Sequence, residues 1–463
     1  MNSAVTNPRE HRSQTDPDAT KRLGVRHRGL LAECIAWGWF FGLAAVQALA
    51  EPPRKPFVPE YAIVNARILD VRTGLYASNM SVVTGGGRII SIISGPGVPA
   101  SARIIDANGF ILMPGLVDCH THILGNQSDQ SPVAGLRMSS AMSALWGVHN
   151  GEVLLDQGFT TARDAGEADL AYGQLALRDA IAQGLVRGPR LFSAGGFVSV
   201  TGGHGDNDSL APDQALPRRP NIADTVDQVN DVVRRDIKYG ADWIKLMATG
   251  GVMDPHSSYD RQELSEEQMA RAVEIAHRAG KRVMAHAEGT LGIKAAVRAG
   301  VDSIEHGTML DEEGAAMMEQ RGTWLVPTLY TFQHGAEQGT SQGADEVMAA
   351  KGKAILAAQQ PAFALAIHHH LKIAYGVDDE PEYESKEFGA LVRGGLTPLA
   401  AIQAATINGA TLLAVDKDLG TVEAGKLADL ILVGSDPLVD IRAMEKVYFV
   451  MKAGEVVKKL MGR

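Results

Sequence analysis

The chain is poor in cysteine: among its 463 residues there are only Cys34 and Cys119. Cys34 lies in a leader expected to be removed, so no intrachain disulfide is expected and stability must come from a packed core. Cys119 reads as a buried structural thiol. Positive charge is not in surplus either. The formal net charge of −10 argues against nucleic acid or an anionic membrane as a partner. Aromatic residues are scarce, at 5%. No G-x-G-x-x-G turn follows the first strand of the long middle segment, which speaks against an open dinucleotide-binding sheet. No G-x-S-x-G elbow offers a serine nucleophile.

What is present is apolar and rich in turns. Hydrophobic residues make up 45% of the chain and glycines number 50, enough for a large core and many tight strand-to-helix connections. At the N-terminus, Lys21, Arg22, Arg26 and Arg28 precede "IAWGWFFGLAAVQALA", which ends in Ala48-Leu49-Ala50. A basic region, a short apolar stretch and a small-x-small ending predict a signal peptide over residues 1–50. The apolar stretch is short for a membrane span. A secreted or periplasmic protein with no stable membrane contact after processing is therefore expected.

The rest divides into two patterns. Residues 60–113 carry β-branched runs ("YAIVNARILD", "SVVTGGGRIISII") separated by Gly, Asn and Pro turns, and residues 413–460 repeat that chemistry ("LADLILVGSDP", "VYFVMKAGEVVK"). Both ends are expected to join in one small β-sandwich domain. Residues 114–412 alternate short apolar runs with helical stretches. Candidate strands cover 115–123, 158–164, 190–200, 242–248, 282–287, 302–307, 324–329 and 372–378. Eight strands alternating with helices predict an α/β fold of the (β/α)8 barrel type, with a doubly wound sheet as the alternative. Within "SEEQMARAVEIAHRAG", Ser265 and Gln268 are spaced as a capping box and Gly280 as the helix stop.

In such barrels the active site sits at the C-terminal ends of the strands. The first strand ends in "DCHTH", where His120 and His122 share one face because strand side chains alternate. The fourth holds Lys245 in the otherwise apolar "DWIKLMATGG", the fifth ends in His286, the sixth in Glu305-His306 and the eighth in Asp378. Taken singly, each has a packing explanation. Together, such side chains at one end of five strands suit divalent metal, zinc above all. A lysine ammonium cannot bind a cation, but a carbamylated lysine is carboxylate-like and can bridge two. Two neighbouring metals would lower the pKa of a shared hydroxide and polarise a carbonyl.

This ligand pattern resembles the amidohydrolase superfamily of binuclear metal type. "VTGGHGD", "IKLMATGGV", "MAHAEG" and "SIEHGT" are similar to its imidazolonepropionase-like and Xaa-Pro dipeptidase-like members, a group that includes secreted carboxypeptidases and enzymes hydrolysing ochratoxin A. The resemblance implies that His120, His122 and Asp378 hold one metal and His286 and His306 the other. Carbamylated Lys245 and a hydroxide would bridge them. Asp378 would also carry the proton to the leaving amine, and His204 would stabilise charge on the scissile carbonyl oxygen. At the eighth strand the chain departs from the group's pattern. It reads "YGVDDEPE", which leaves Asp379 as a rival to Asp378.

The loop "GGVMDPHSSYDRQ" offers Tyr259 and Arg261 as binders of a free substrate carboxylate, with surface exposure as the alternative. The implied activity is hydrolysis of the amide bond in dipeptides or N-acyl amino acids, small molecules, by a metallo-amidohydrolase. A cyclic-amide hydrolase or deaminase is the second reading and a non-catalytic metal-binding protein the third. A homo-oligomer is compatible with all three. The run "IHHH" (367–370) precedes the eighth strand and reads as a helix end, not a metal site.

Overall fold

The structure, a computed structural model, describes residues 58–460 except 127, 130, 132, 207–210, 212, 214–218, 254, 255, 342 and 345. The predicted leader lies outside the described residues.

Eight parallel strands form the barrel sheet in sequential order: Leu116–Thr121, Phe159–Asp164, Arg190–Val198, Trp243–Met247, Arg282–Ala287, Ser303–His306, Trp324–Val326 and Lys372–Ile373. The seam between first and last is closed by backbone hydrogen bonds from Cys119 N to Tyr375 O (2.8 Å) and from Asp378 N to His120 O (3.0 Å). The eighth strand is therefore shorter than its sequence suggests, yet the segment after it still tracks the first. Gly376 permits this: a Cβ there would lie 2.4 Å from Val326 Cγ1 and 2.7 Å from His120 Cβ. Nearly every barrel-strand residue is buried, as expected for a parallel sheet covered on both faces, so the strands read as continuous apolar runs instead of alternating.

Helices return the chain between strands. In Glu266–Arg278, Ser265 and Gln268 form the capping box, and Gly280 follows the helix end with φ 69°. Met269, Ala272, Val273 and Ala276 face the core at helical spacing while Glu266, Glu267 and Glu274 face water. Among the described residues no helix is long and apolar enough to cross a membrane.

The chain ends build a second sheet. Leu430–Val433 pairs antiparallel with Ile111–Pro114, which joins the C-terminal hairpin (Val447–Lys452, Glu455–Lys459) to Tyr61–Leu69, Tyr76–Gly85 and Arg88–Ser94. Its core includes Ile63, Val82, Leu112, Leu430, Leu432 and Phe449. Because Ile111–Pro114 runs almost directly into Leu116–Thr121, this sheet anchors the first barrel strand and with it the histidine pair.

Candidate metal centre

His120, His122, Lys245, His286, His306, Asp378 and His204 all line one cavity of about 420 Å³ at the C-terminal ends of the strands. The histidine rings form a chain. Centroid separations are 5.4 Å from His122 to His120, 5.0 Å on to His306, 4.7 Å to His286 and 4.6 Å to His204. Asp378 faces three of them: its carboxylate lies 3.3 Å from His122 Nε2, 3.7 Å from His120 Nε2 and 4.0 Å from His306 Nε2. Asp379, the rival suggested by the sequence, instead accepts from His334 Nδ1 at 3.0 Å. His306 and Asp378 both hold left-handed backbone, φ 71° and 58°, a conformation that costs energy in non-glycine residues and persists where surrounding structure imposes it.

On each of four rings one nitrogen is held by the protein. His120 Nδ1–H donates to Glu305 Oε2 (2.7 Å) and His122 Nδ1–H to Gly166 O (2.6 Å). His286 Nε2–H donates to Gly250 O (3.0 Å), and His306 Nδ1 bonds Thr328 Oγ1 (2.7 Å). Fixing one ring nitrogen sets the tautomer and aims the other as a lone pair. His120 Nε2 is buried and has no hydrogen-bond partner. An orphaned, inward-facing imidazole nitrogen beside a carboxylate and further imidazoles is a donor set that fits a divalent cation. Donor atoms of His120, His306 and Asp378 lie within 4.8 Å of one another.

Electrostatics favour the same use. Burial pushes the His120, His286 and His306 rings well below the ordinary histidine range, helped at His120 by the Lys245 charge. Burial and Lys245 take His122 to about 3. All four rings are thus neutral near pH 7, as metal ligation requires. Lys245 is 1% exposed. Burial lowers its ammonium to about 8, against the pull of Glu305 and Asp378. Burial raises the Asp378 carboxyl to about 7, partly offset by Lys245.

Beneath these side chains lies an ionic support that the sequence reading left without a role. Buried Arg163 grips Glu305 with Nη2 at 2.8 and 2.9 Å, and Ser303 Oγ donates to Glu305 Oε1 at 2.5 Å. Arg163 cancels the charge of Glu305, so Glu305 orients His120 without protonating it. Asp118 clips the first strand to the segment after the eighth by accepting from His120 N (2.6 Å) and Val377 N (3.1 Å). A charged pair at the end of an apolar strand, "ARD" at 162–164, was the available signal for Arg163. Glu288 also escaped notice. It lines the cavity, is 1% exposed, and its Oε2 has no hydrogen-bond partner. Burial pushes its carboxyl up to about 8.

His204 packs against Gly251, where a Cβ would come within 2.5 Å of its ring. From the loop 250–262, Val252 and Met253 line the cavity. Tyr259 and Arg261 are not in its described lining, and Arg261 is exposed. His334, to which the sequence reading assigns no role, does line it.

Residues 111–457 match the amidohydrolase family. Ochratoxinase of Aspergillus niger is 34% identical over 371 residues, covering 75% of this chain and 76% of that protein. An imidazolonepropionase of Sphingopyxis alaskensis is 26% identical over 375 residues, covering 74% and 83%. The solved structure of a Xaa-Pro dipeptidase with methionine bound in its active site matches with a TM-score of 0.81 at 33% identity, over 86% of this chain and 99% of that one.

Proposed function

Because the chain belongs to the amidohydrolase family, hydrolases of carbon–nitrogen bonds, we propose that it cleaves the amide bond of dipeptides or N-acyl amino acids in a metal-dependent reaction. The observation that carries this reading is the convergence of His120, His122 and His306 on Asp378, with Lys245 buried among them. The methionine bound in the active site of the similar Xaa-Pro dipeptidase supports substrates with an amino-acid half.

His120, His122 and Asp378 would hold one divalent cation, His286 and His306 a second, with carbamylated Lys245 between them. Zinc suits these donors. Bound there, the cations supply Lewis acidity and an activated water. The chain's own residues do the rest. Lys245, lowered to about 8 by burial, is neutral in roughly a tenth of molecules at pH 7, far more than an ordinary lysine, and the neutral amine is the form that accepts carbon dioxide. Asp378 takes a proton on its carboxylate and returns it to the leaving nitrogen. Its position near neutrality lets it do both. His204 offers a ring N–H to the carbonyl oxygen as charge develops. The apolar wall (Val252, Met253, Phe332, Met348) limits water in the cavity.

The test is hydrolysis of a library of dipeptides and N-acyl amino acids with Lys245→Ala alongside, and elemental analysis of both proteins. A Lys245→Ala protein with full activity and full metal content overturns the reading. We also propose that residues 1–50 direct export, which N-terminal sequencing of protein recovered outside the cytoplasm would test.

A further inference from the structure

The described lining of the cavity has one guanidinium that no part of this chemistry uses. Arg219 lines it from the loop between the third barrel strand and the helix Val226–Tyr239. Its backbone is well anchored. Asn221 Nδ2 donates to Phe197 O (2.8 Å) and Gly205 O (3.3 Å), Ser199 N donates to Asn221 O (3.2 Å), and Ala223 N donates to Ser199 O (2.7 Å). Pro220 further restricts Arg219 to extended conformations. The side chain is partly buried. One Nη2–H bond goes to Ala168 O, across the cavity rim.

Among the described residues no carboxylate stands within ion-pair distance of Arg219. Asp206 acts on it only at longer range, and burial lowers the guanidinium from its ordinary value. The other cation in the described lining, Lys245, is on the floor among the ligands. The acids of the lining other than Asp206 lie at Asp129, Glu288 and Asp378 to Glu380. The described lining therefore carries one half-desolvated cation besides Lys245, together with acids and an apolar wall. A partly buried guanidinium without an anion is costly to keep, and its planar fork matches a carboxylate.

We propose that Arg219 is the subsite for the free α-carboxylate of the leaving amino acid, in place of Tyr259 or Arg261. The inference rests on the proposed amidase reading for the identity of the ligand. The bond to Ala168 O fixes one face of the guanidinium and leaves the remaining N–H groups for the anion. The apolar wall takes the amino-acid side chain, and the amide carbonyl reaches His204 and the floor. A volume of about 420 Å³ is in the range of small-molecule sites.

The experiment has two arms. Calorimetry measures binding of L-phenylalanine and L-phenylalaninamide to the wild type, Arg219→Gln, Arg219→Lys and Arg261→Gln. Kinetics measure hydrolysis of N-acetylphenylalanine and its carboxamide by the same proteins. The wild type should prefer the free carboxylate by about tenfold or more, the scale of a charge-assisted hydrogen bond. Arg219→Gln should erase that preference and raise KM for the acid about tenfold with kcat nearly unchanged, while Arg219→Lys keeps part of it. An Arg219→Gln protein that retains the wild-type preference overturns the proposal, as does a preference lost only in Arg261→Gln. Equal losses on acid and carboxamide mark Arg219 as structural and also overturn it. If no amide is hydrolysed but binding discriminates through Arg219, the amidase reading falls and the anion subsite stands.

Discussion

The barrel carries two groups of histidines at opposite ends, and they behave oppositely. His120, His122, His286 and His306 lie at the C-terminal ends of their strands, where burial drives them to the neutral form. His368 to His370 precede the start of the eighth strand, at the other end. There His369 bonds Glu319 through Nδ1 (3.0 Å) and Glu312 through Nε2 (2.9 Å), and both acids raise its pKa. The second group is the denser in sequence, yet both nitrogens of His369 are already taken by carboxylates. What separates the groups is which atom holds the second nitrogen. A backbone carbonyl, a hydroxyl or a charge-neutralised glutamate leaves a lone pair for a metal. Two exposed glutamates leave a surface ion pair.

The comparison breaks most visibly at its centre. Asp378→Asn removes the carboxylate that faces three histidines and should lower kcat/KM by about 10²–10⁴-fold, with loss of bound metal by elemental analysis. Retained turnover would mean that another group carries the proton. His204→Asn tests whether the ring chain continues into catalysis. Loss of one donor to a developing oxyanion costs about 10²–10³-fold in kcat, and metal content should not change. A fall in metal content instead would move His204 from substrate to ligand.

Glu305→Gln sharpens the contrast between a histidine held by a neutralised carboxylate and one held by free acids. It removes the charge shared by His120, Arg163 and Ser303. The expected loss is about 10–100-fold in metal affinity or activity. Stability should also fall by about 3–5 kcal/mol, because Arg163 is left buried without its anion. The metal-affinity readout separates orientation from packing. An unchanged affinity with lowered stability would reduce Glu305 to a core ion pair.

These differences explain what could be seen in the sequence. The strands and the placement of the polar side chains at their ends were legible because an apolar run of fixed period ends at a defined rim, so a polar residue such as His286 or His306 at its end has a predictable place. Asp378 against Asp379 was not decidable from adjacency. The structure separates them because Asp378 takes a left-handed φ towards the ring chain while Asp379 turns to His334. The supporting pair Arg163–Glu305 joins strands 142 residues apart, a contact no local pattern encodes. Tyr259, Arg261 and Arg219 sit on loops, where no periodicity says which side chain faces inward. The shortening of the eighth strand to Lys372–Ile373 has a related cause, since closure there depends on the backbone approach at Gly376 and not on side-chain pattern.

The smallest expected effect lies at the far end. His369 gains its proton from two glutamates, so its folded pKa stands above the unfolded value of about 6.5. A base whose pKa rises on folding stabilises the fold fully below the unfolded pKa and ceases to do so as pH climbs through the folded one. The glutamates must be ionised as well, which sets the lower edge near about 4.3. His369→Ala should therefore lower Tm slightly between these limits. The gap should close above the folded pKa, and salt should shrink it, because Glu312 is 70% exposed. Thermal unfolding of both proteins across pH measures this. A gap that persists unchanged at alkaline pH would assign the effect to packing of the ring. Any accompanying loss of activity or metal would contradict the separation of the two histidine groups, since no described contact of His369 reaches the cavity.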